Sequence, residues 1–139
     1  VSVTFNHTII VSADRDASAD FYRELFDLAE GPSWGPFRNL LLDDAVETQA
    51  SGPTRSRTGA MLQFASPPVD FIQPQHYALL VDDATFDRAM NLLRGKGIEH
   101  WADPQMSRPG EINTEHGGRG VYLRDPSGHF LEFTTAPYL

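Results

Sequence analysis

Two histidines, a glutamate and a glutamine stand in this chain where their side chains can meet one cation. His7 opens the run His7-Thr8-Ile9-Ile10-Val11, and His76 opens His76-Tyr77-Ala78-Leu79-Leu80-Val81. Gln63 lies within Met61-Leu62-Gln63-Phe64 and Glu132 within Phe130-Leu131-Glu132-Phe133. His76 follows His7 by 69 residues, and Glu132 follows Gln63 by the same 69. Two coincident offsets in one short chain mark an internal duplication. Side chains alternate along a strand, so Glu132 shares a face with Phe130 and Thr134, Gln63 with Met61 and Ala65, and His7 lies between Phe5 and Ile9. A carboxylate facing an apolar interior is costly unless it is hydrogen-bonded or meets a cation.

The chain has no cysteine, so any metal must be held by nitrogen and oxygen donors. Two neutral imidazoles and one carboxylate suit Fe2+, Mn2+, Zn2+, Ni2+ or Co2+, and three ligands leave positions for water or substrate. Gln63 can add its amide oxygen as a fourth ligand or donate a hydrogen bond to bound water. The competing reading makes the histidines core residues bonded to the backbone and pairs Glu132 with an arginine. The duplication tips the balance towards the metal.

The elements that would position these residues follow one grammar twice. Phe5 to Val11 reads as a strand, and Asp14 or Asp16 caps a helix whose apolar stripe is Ala17, Phe21, Tyr22, Leu25, Phe26 and Leu28, with Gly31-Pro32-Ser33 as its stop. Three strands are expected next, at Pro36 to Leu42, Ala45 to Ala50 and Ala60 to Ala65. A turn is expected at Asp43-Asp44 and a mobile loop from Ser51 to Gly59. A proline-rich linker, 67–74, then separates module 1–66 from module 75–139 within a single domain, 1–139. The second module repeats strand, acidic cap and helix, with Phe86, Ala89, Met90 and Leu93 at helical spacing and Gly95-Lys96-Gly97 as the end. A strand near Ile98 to Ala102, a loop from Asp103 to Gly118 and a hairpin complete it. The hairpin arms are Gly120 to Arg124 and His129 to Thr134, joined by the turn Asp125-Pro126-Ser127-Gly128.

These residues resemble the vicinal oxygen chelate superfamily, which includes glyoxalases, bleomycin-resistance proteins and extradiol dioxygenases. The likeness is carried by His7-Thr8-Ile9-Ile10-Val11 with Phe21-Tyr22, by His76-Tyr77-Ala78-Leu79-Leu80-Val81, and above all by Tyr122-Leu123-Arg124-Asp125-Pro126-Ser127-Gly128-His129-Phe130-Leu131-Glu132. It implies an α+β fold of two βαβββ modules, their eight strands forming a curled mixed sheet around a cavity. It also implies His7, His76 and Glu132 as metal ligands, with Gln63 at the place of a fourth, and a homodimer in which the modules pair within one chain or across two.

The resemblance implies a divalent-metal-dependent enzyme acting on a small oxygen-bearing substrate, by isomerase, lyase, dioxygenase or transferase chemistry. The alternative is a bleomycin-resistance-like protein that binds a drug or metabolite without turnover. In an isomerase or lyase step Glu132 would be the catalytic group that moves a proton, a role the amide of Gln63 cannot share. Tyr122 matches a substrate-contacting tyrosine, and Arg119 or Arg124 is placed to meet an anion. Trp101, with Trp34 and Phe37, would line a pocket or a subunit contact. His100 and His116 read as surface or loop residues, His129 as a turn or outer-face residue. The terminal Ala136-Pro137-Tyr138-Leu139 is expected to lie against another element or a partner chain.

The net charge of -8, from 11 Lys and Arg against 19 Asp and Glu, opposes binding to nucleic acid or to an anionic membrane. No run of about 18 apolar residues occurs. The first seven residues read as a strand, not a signal peptide, which makes the cytoplasm the expected location.

Overall fold

The computed structural model describes residues 3–42, 47–48, 56–57 and 60–139. The chain divides into two compact units, Val1–Asp70 and Phe71–Leu139.

In the first unit, strand β1 (His7–Val11) leads into helix α1 (Arg15–Phe26). Asp14 is the cap: its carboxylate accepts from the amides of Asp16 and Ala17, two donors that the first helical turn leaves without partners. The helix stops at Asp27, whose left-handed φ of 53° turns the chain before the expected Gly31-Pro32-Ser33 stop. Aspartate tolerates that conformation better than most residues. Leu28 therefore lies beyond the helix instead of on its stripe.

Strands β2 (Ala29–Glu30), β3 (Arg38–Leu41) and β6 (Met61–Ala65) complete a four-stranded sheet in the order β1-β6-β3-β2. The fourth strand is Ala29–Glu30; of the strand expected at Ala45 to Ala50, only residues 47–48 are described. Of that segment, Glu47–Thr48 forms β4, which pairs with β5 (Ser56–Arg57) in a separate two-stranded ladder. Residues 56–57, expected in a loop, are thus strand; the turn expected at 43–44 and the remainder of the loop expected at 51–59 lie outside the described residues. Arg38 explains how so short a β2 is held. Its guanidinium bonds Glu30 at the end of that strand and, at 2.7 Å, Asp20 on α1.

The second unit repeats the plan. Strand β7 (His76–Leu80) precedes helix α2 (Asp83–Gly95), capped by Asp82 through a 2.8 Å bond from the Thr85 amide. Strands β8 (His100–Trp101), β9 (Gly120–Arg124) and β10 (Phe130–Thr134) build a sheet of order β7-β10-β9-β8. Asp125 makes the β9–β10 turn by accepting from the amides of Ser127 and His129, each at 2.9 Å. Gly128 closes it with a φ of 87° that a side chain would oppose.

Each unit is therefore a βαβββ module, and the duplication extends to strand register. In the first, β1 runs parallel to β6 with His7 opposite Met61 and Ile9 opposite Gln63. In the second, β7 runs parallel to β10 with His76 opposite Phe130 and Ala78 opposite Glu132. Every one of these positions maps onto its counterpart by the 69-residue step.

One face of each sheet is covered by its helix. Ile10, Leu40, Leu62 and Phe64 are buried together with Tyr22, Leu25 and Phe26, and the Tyr22 and Phe64 rings are 5.1 Å apart. Val121, Leu123, Leu131 and Phe133 are buried with Phe86, Ala89, Met90 and Leu93, the Phe86 and Phe133 rings meeting edge to face at 5.2 Å. By alternation, Gln63 and Glu132 face the opposite side of their sheets.

Candidate metal centre and adjoining cavity

The parallel register places His76 one diagonal step from Glu132, and the two side chains meet. Nε2 of His76 lies 2.8 Å from Oε1 of Glu132. The carboxylate is almost entirely buried while the imidazole is half exposed, so the pair presents one wet edge and one dry one. The other carboxylate oxygen, Oε2, accepts a hydrogen bond from the hydroxyl of Tyr138. Tyr122, directly across the ladder from Glu132, has its hydroxyl 3.4 Å from that of Tyr138. The buried charge is thereby hydrogen-bonded on both oxygens, as a buried carboxylate requires.

The two tyrosines stay protonated. Burial, followed by the bond to Tyr138 and the field of Glu132, holds the Tyr122 phenol well above its ordinary value of 10.0. The bond to Glu132 is the main cause that raises Tyr138. Near neutral pH both are hydroxyl groups able to donate.

Beside the pair a cavity of about 240 Å³ is lined by His76, Trp101, Pro104, Met106, Tyr122, Leu123, Arg124 and Phe130. The guanidinium of Arg124 lies over the Phe130 ring, 4.9 Å from its centre. Trp101, Tyr122 and Arg124 are thus in the cavity wall. Arg119 is not: it is engaged by Asp83 at 2.8 Å and Asp87 at 2.7 Å and lies over the Phe86 ring. Phe37 and Trp34 belong to the first unit, where they form an isolated bridge with each other.

His7 and Gln63 hold the corresponding places in the first unit. His7 is exposed, and its Nδ1 donates to Oδ1 of Asn6 at 2.6 Å, a bond that leaves Nε2 as the nitrogen with a lone pair. Gln63 is 4% exposed and stands opposite Asn39 on β3, as Glu132 stands opposite Tyr122. Asn39 is fully buried; its amide nitrogen donates to the Pro32 carbonyl, and its Oδ1 has no hydrogen-bond partner among the described residues.

Donor chemistry at His76 and Glu132 fits a divalent cation of the nitrogen-and-oxygen class: an imidazole nitrogen and a carboxylate oxygen stand at a distance a cation can bridge. Among the described residues, no three His, Asp or Glu side chains gather into one metal-binding group. The pair is a two-donor edge.

Three histidines differ from expectation or gain a role. His129, expected in a turn or on an outer face, closes the β9–β10 turn but is 1% exposed; its Nδ1 accepts from the Gln75 amide at 3.0 Å and so ties the residue before β7 to the start of β10. His100, expected at the surface or in a loop, is buried in β8, with Nδ1 donating to the Ile98 carbonyl and Nε2 without a partner among the described residues. His116 is exposed, as a loop residue should be, but its ring stacks on Tyr138 with centres 3.9 Å apart. Tyr138, bonded to Glu132, is the residue of this cluster that sequence spacing did not single out. Its one sequence signal is an aromatic ring in an otherwise small-residue tail.

The model of the Glyoxalase/Bleomycin resistance protein/Dioxygenase superfamily matches residues 4–133. The chain belongs to this superfamily. Among solved structures of similar proteins, Oxidase ChaP-H1 is 42% identical, with 99% of this chain and 98% of that one covered and a TM-score of 0.82. Oxidase ChaP-H2 is 39% identical, with 99% and 97% covered and a TM-score of 0.82. Lactoylglutathione lyase from Agrobacterium tumefaciens shares the superfamily fold at 19% identity, with 96% and 93% covered and a TM-score of 0.60. No curated protein matches the chain. No helix among the described residues is long and apolar enough to cross a membrane.

Proposed function

We propose that the chain is a divalent-metal-dependent oxidase whose substrate is a small, largely apolar molecule carrying oxygen substituents. His76 carries the reading, because its ring belongs both to the 2.8 Å pair with Glu132 and to the wall of the cavity. A cation held there would lie at the edge of the space a substrate enters. Similarity to two proteins named as oxidases, over nearly the whole chain, supports oxidation over the superfamily's other chemistries.

His76 and Glu132 would hold the cation together with His7, and Gln63 would serve as a fourth donor or bind its water. His7 and Gln63 would come from the same chain or from a second copy in a homodimer. When bound, the cation supplies a Lewis-acid site with open positions beside the cavity. The chain's own residues do the rest. Trp101, Pro104, Met106 and Phe130 receive an apolar, flat body and exclude water from it. Arg124, held over Phe130, meets an anionic oxygen at the rim. Tyr122, in the cavity wall, keeps its proton and is the hydroxyl donor that favours an oxyanion over a neutral carbonyl there, while the proton of Tyr138 is committed to Glu132.

The test uses protein purified without a metal-affinity tag, stripped by a chelator and reloaded with Fe2+, Mn2+, Zn2+, Ni2+ or Co2+ singly. Oxygen uptake is followed with catechols and polycyclic phenols. The expected result is substrate-dependent uptake that disappears on stripping and returns with one cation. Uptake indifferent to stripping would overturn metal dependence. Tight binding of a bulky ligand without oxygen uptake would instead establish a drug- or metabolite-binding protein.

A further inference from the structure

The C-terminal tail reaches the metal-binding pair, and its attachment is specific. The Arg119 amide donates to Oγ1 of Thr135 at 2.9 Å, and the Thr135 amide donates back to the Arg119 carbonyl at 2.9 Å. Oγ1 of Thr134 donates to the Ala136 carbonyl at 3.2 Å. Gly118 lets the tail pass close by, since a Cβ there would stand 2.6 Å from Oγ1 of Thr135 and 2.7 Å from Cβ of Ala136. Beyond this anchored stretch Tyr138 stacks on His116 and delivers its hydroxyl to Oε2 of Glu132.

The consequence concerns how Glu132 can bind. One of its oxygens faces His76 and the other is taken by a neutral O–H donor. The geometry points to Tyr138 as a positioning residue of the metal centre, whose hydroxyl holds Oε2 of Glu132 so that only Oε1, on the His76 side, is presented to the cation. One-oxygen binding leaves one more coordination position open than chelation by both oxygens would. It also aims the lone pair of Oε1 toward the nitrogen of His76, so the two donors converge. His116 acts one step further out by fixing the Tyr138 ring. Outer partners of ligating carboxylates have this effect generally, and their loss weakens metal binding about 10- to 100-fold.

This inference rests on the metal reading of His76 and Glu132, and the experiment separates the two. The full chain is titrated with Co(II), whose visible absorption weakens as its coordination number rises. Wild type should take up one Co(II) per chain. Tyr138→Phe, which removes one hydroxyl and keeps the ring, should bind Co(II) at least about tenfold more weakly, because the carboxylate loses the bond that orients it, and with weaker visible bands, because Oε2 becomes free to approach the cation. His116→Ala should shift the spectrum in the same direction, while His116→Phe, which restores a stacking ring at the same left-handed backbone position, should return it towards wild type. Unchanged thermal unfolding of Tyr138→Phe would show that its fold is intact. Co(II) uptake by wild type with an identical spectrum and affinity in Tyr138→Phe would overturn the positioning role alone. No Co(II) uptake by wild type would overturn the metal reading and the positioning role with it.

Discussion

Gly118→Ala sets two known effects against each other, and the structure decides between them. The residue has a φ of -145°, ordinary extended backbone, so alanine is not strained there. On conformational grounds alone, replacing glycine by alanine restricts the unfolded chain and stabilises by about 0.4–1 kcal/mol. The space argues the other way. The new Cβ would lie 2.6 Å from Oγ1 of Thr135, 2.7 Å from Cβ of Ala136 and 2.9 Å from the Ala136 amide nitrogen. The last of these is backbone and cannot rotate aside, so the tail must move as a piece. Overpacking of this kind costs about 1–3 kcal/mol, and the reciprocal bonds between Arg119 and Thr135 add about 1 kcal/mol each when broken. The net is a destabilisation of about 2–5 kcal/mol, or a melting temperature lower by roughly 7–17 °C. The change should be centred on the tail: proteolysis of 136–139 should accelerate more than global unfolding does. Co(II) binding should fall as it does in Tyr138→Phe, since the tail carries that hydroxyl. A Gly118→Ala protein that melts at or above the wild-type temperature would refute the close approach and the tail's role together.

Other perturbations read different links. Phe133→Ala removes a fully buried ring that meets Phe86 edge to face, and should lower stability by about 3–5 kcal/mol in denaturant titration, whereas Phe71→Ala, at a residue 71% exposed, should stay within about 0.5 kcal/mol. Gln63→Glu places a carboxylate where the amide now lies in the register of Glu132; calorimetry should show tighter Mn2+ binding, and unchanged affinity would put position 63 outside the coordination sphere. Acid should loosen the cavity wall. The hydroxyl of Ser107 is the main cause that holds the Asp103 carboxyl below its usual 3.8, aided by the amides of Arg108 and Ser107. A carboxylate with a lowered value contributes fully above 3.8 and loses its contribution as the pH falls below that. Trp101 fluorescence should therefore change as pH drops below about 3.8, and Asp103→Asn should remove that part of the titration.

The sequence made the duplicated strand framework legible because its signal was periodic. A 69-residue step between donors became identical strand registers, and Asp14, Asp82 and Asp125 capped or turned where their chemistry demands. What stayed hidden depended on contacts remote in sequence. Strand β2 is two residues long and is held by Arg38, eight residues on, so no alternating pattern announces it. The strand at 47–48 pairs with 56–57 and not with the sheet. Helix α1 ends at an aspartate in a left-handed turn, although a Gly-Pro pair a few residues later is the stronger stop signal. His129 and His100 are polar residues buried beside backbone partners, which spacing cannot reveal. Tyr138 reaches Glu132 because Gly118 lets the tail pass, a fact of three-dimensional fit.

In both units the first strand lies parallel to the last, so each sheet can be finished only when its final strand has been synthesised and docked. Fifty-four residues separate His7 from its ladder partner Met61, and the same number separate His76 from Phe130. Pairings of such long range make closure the slow event of folding and leave β1 and β7 without their sheet neighbours until it occurs. His76 and Glu132 consequently become neighbours at the last step. A cation that needs both would have nothing to grip on a nascent or partly opened chain. Its binding would favour the closed sheet by mass action and slow its reopening.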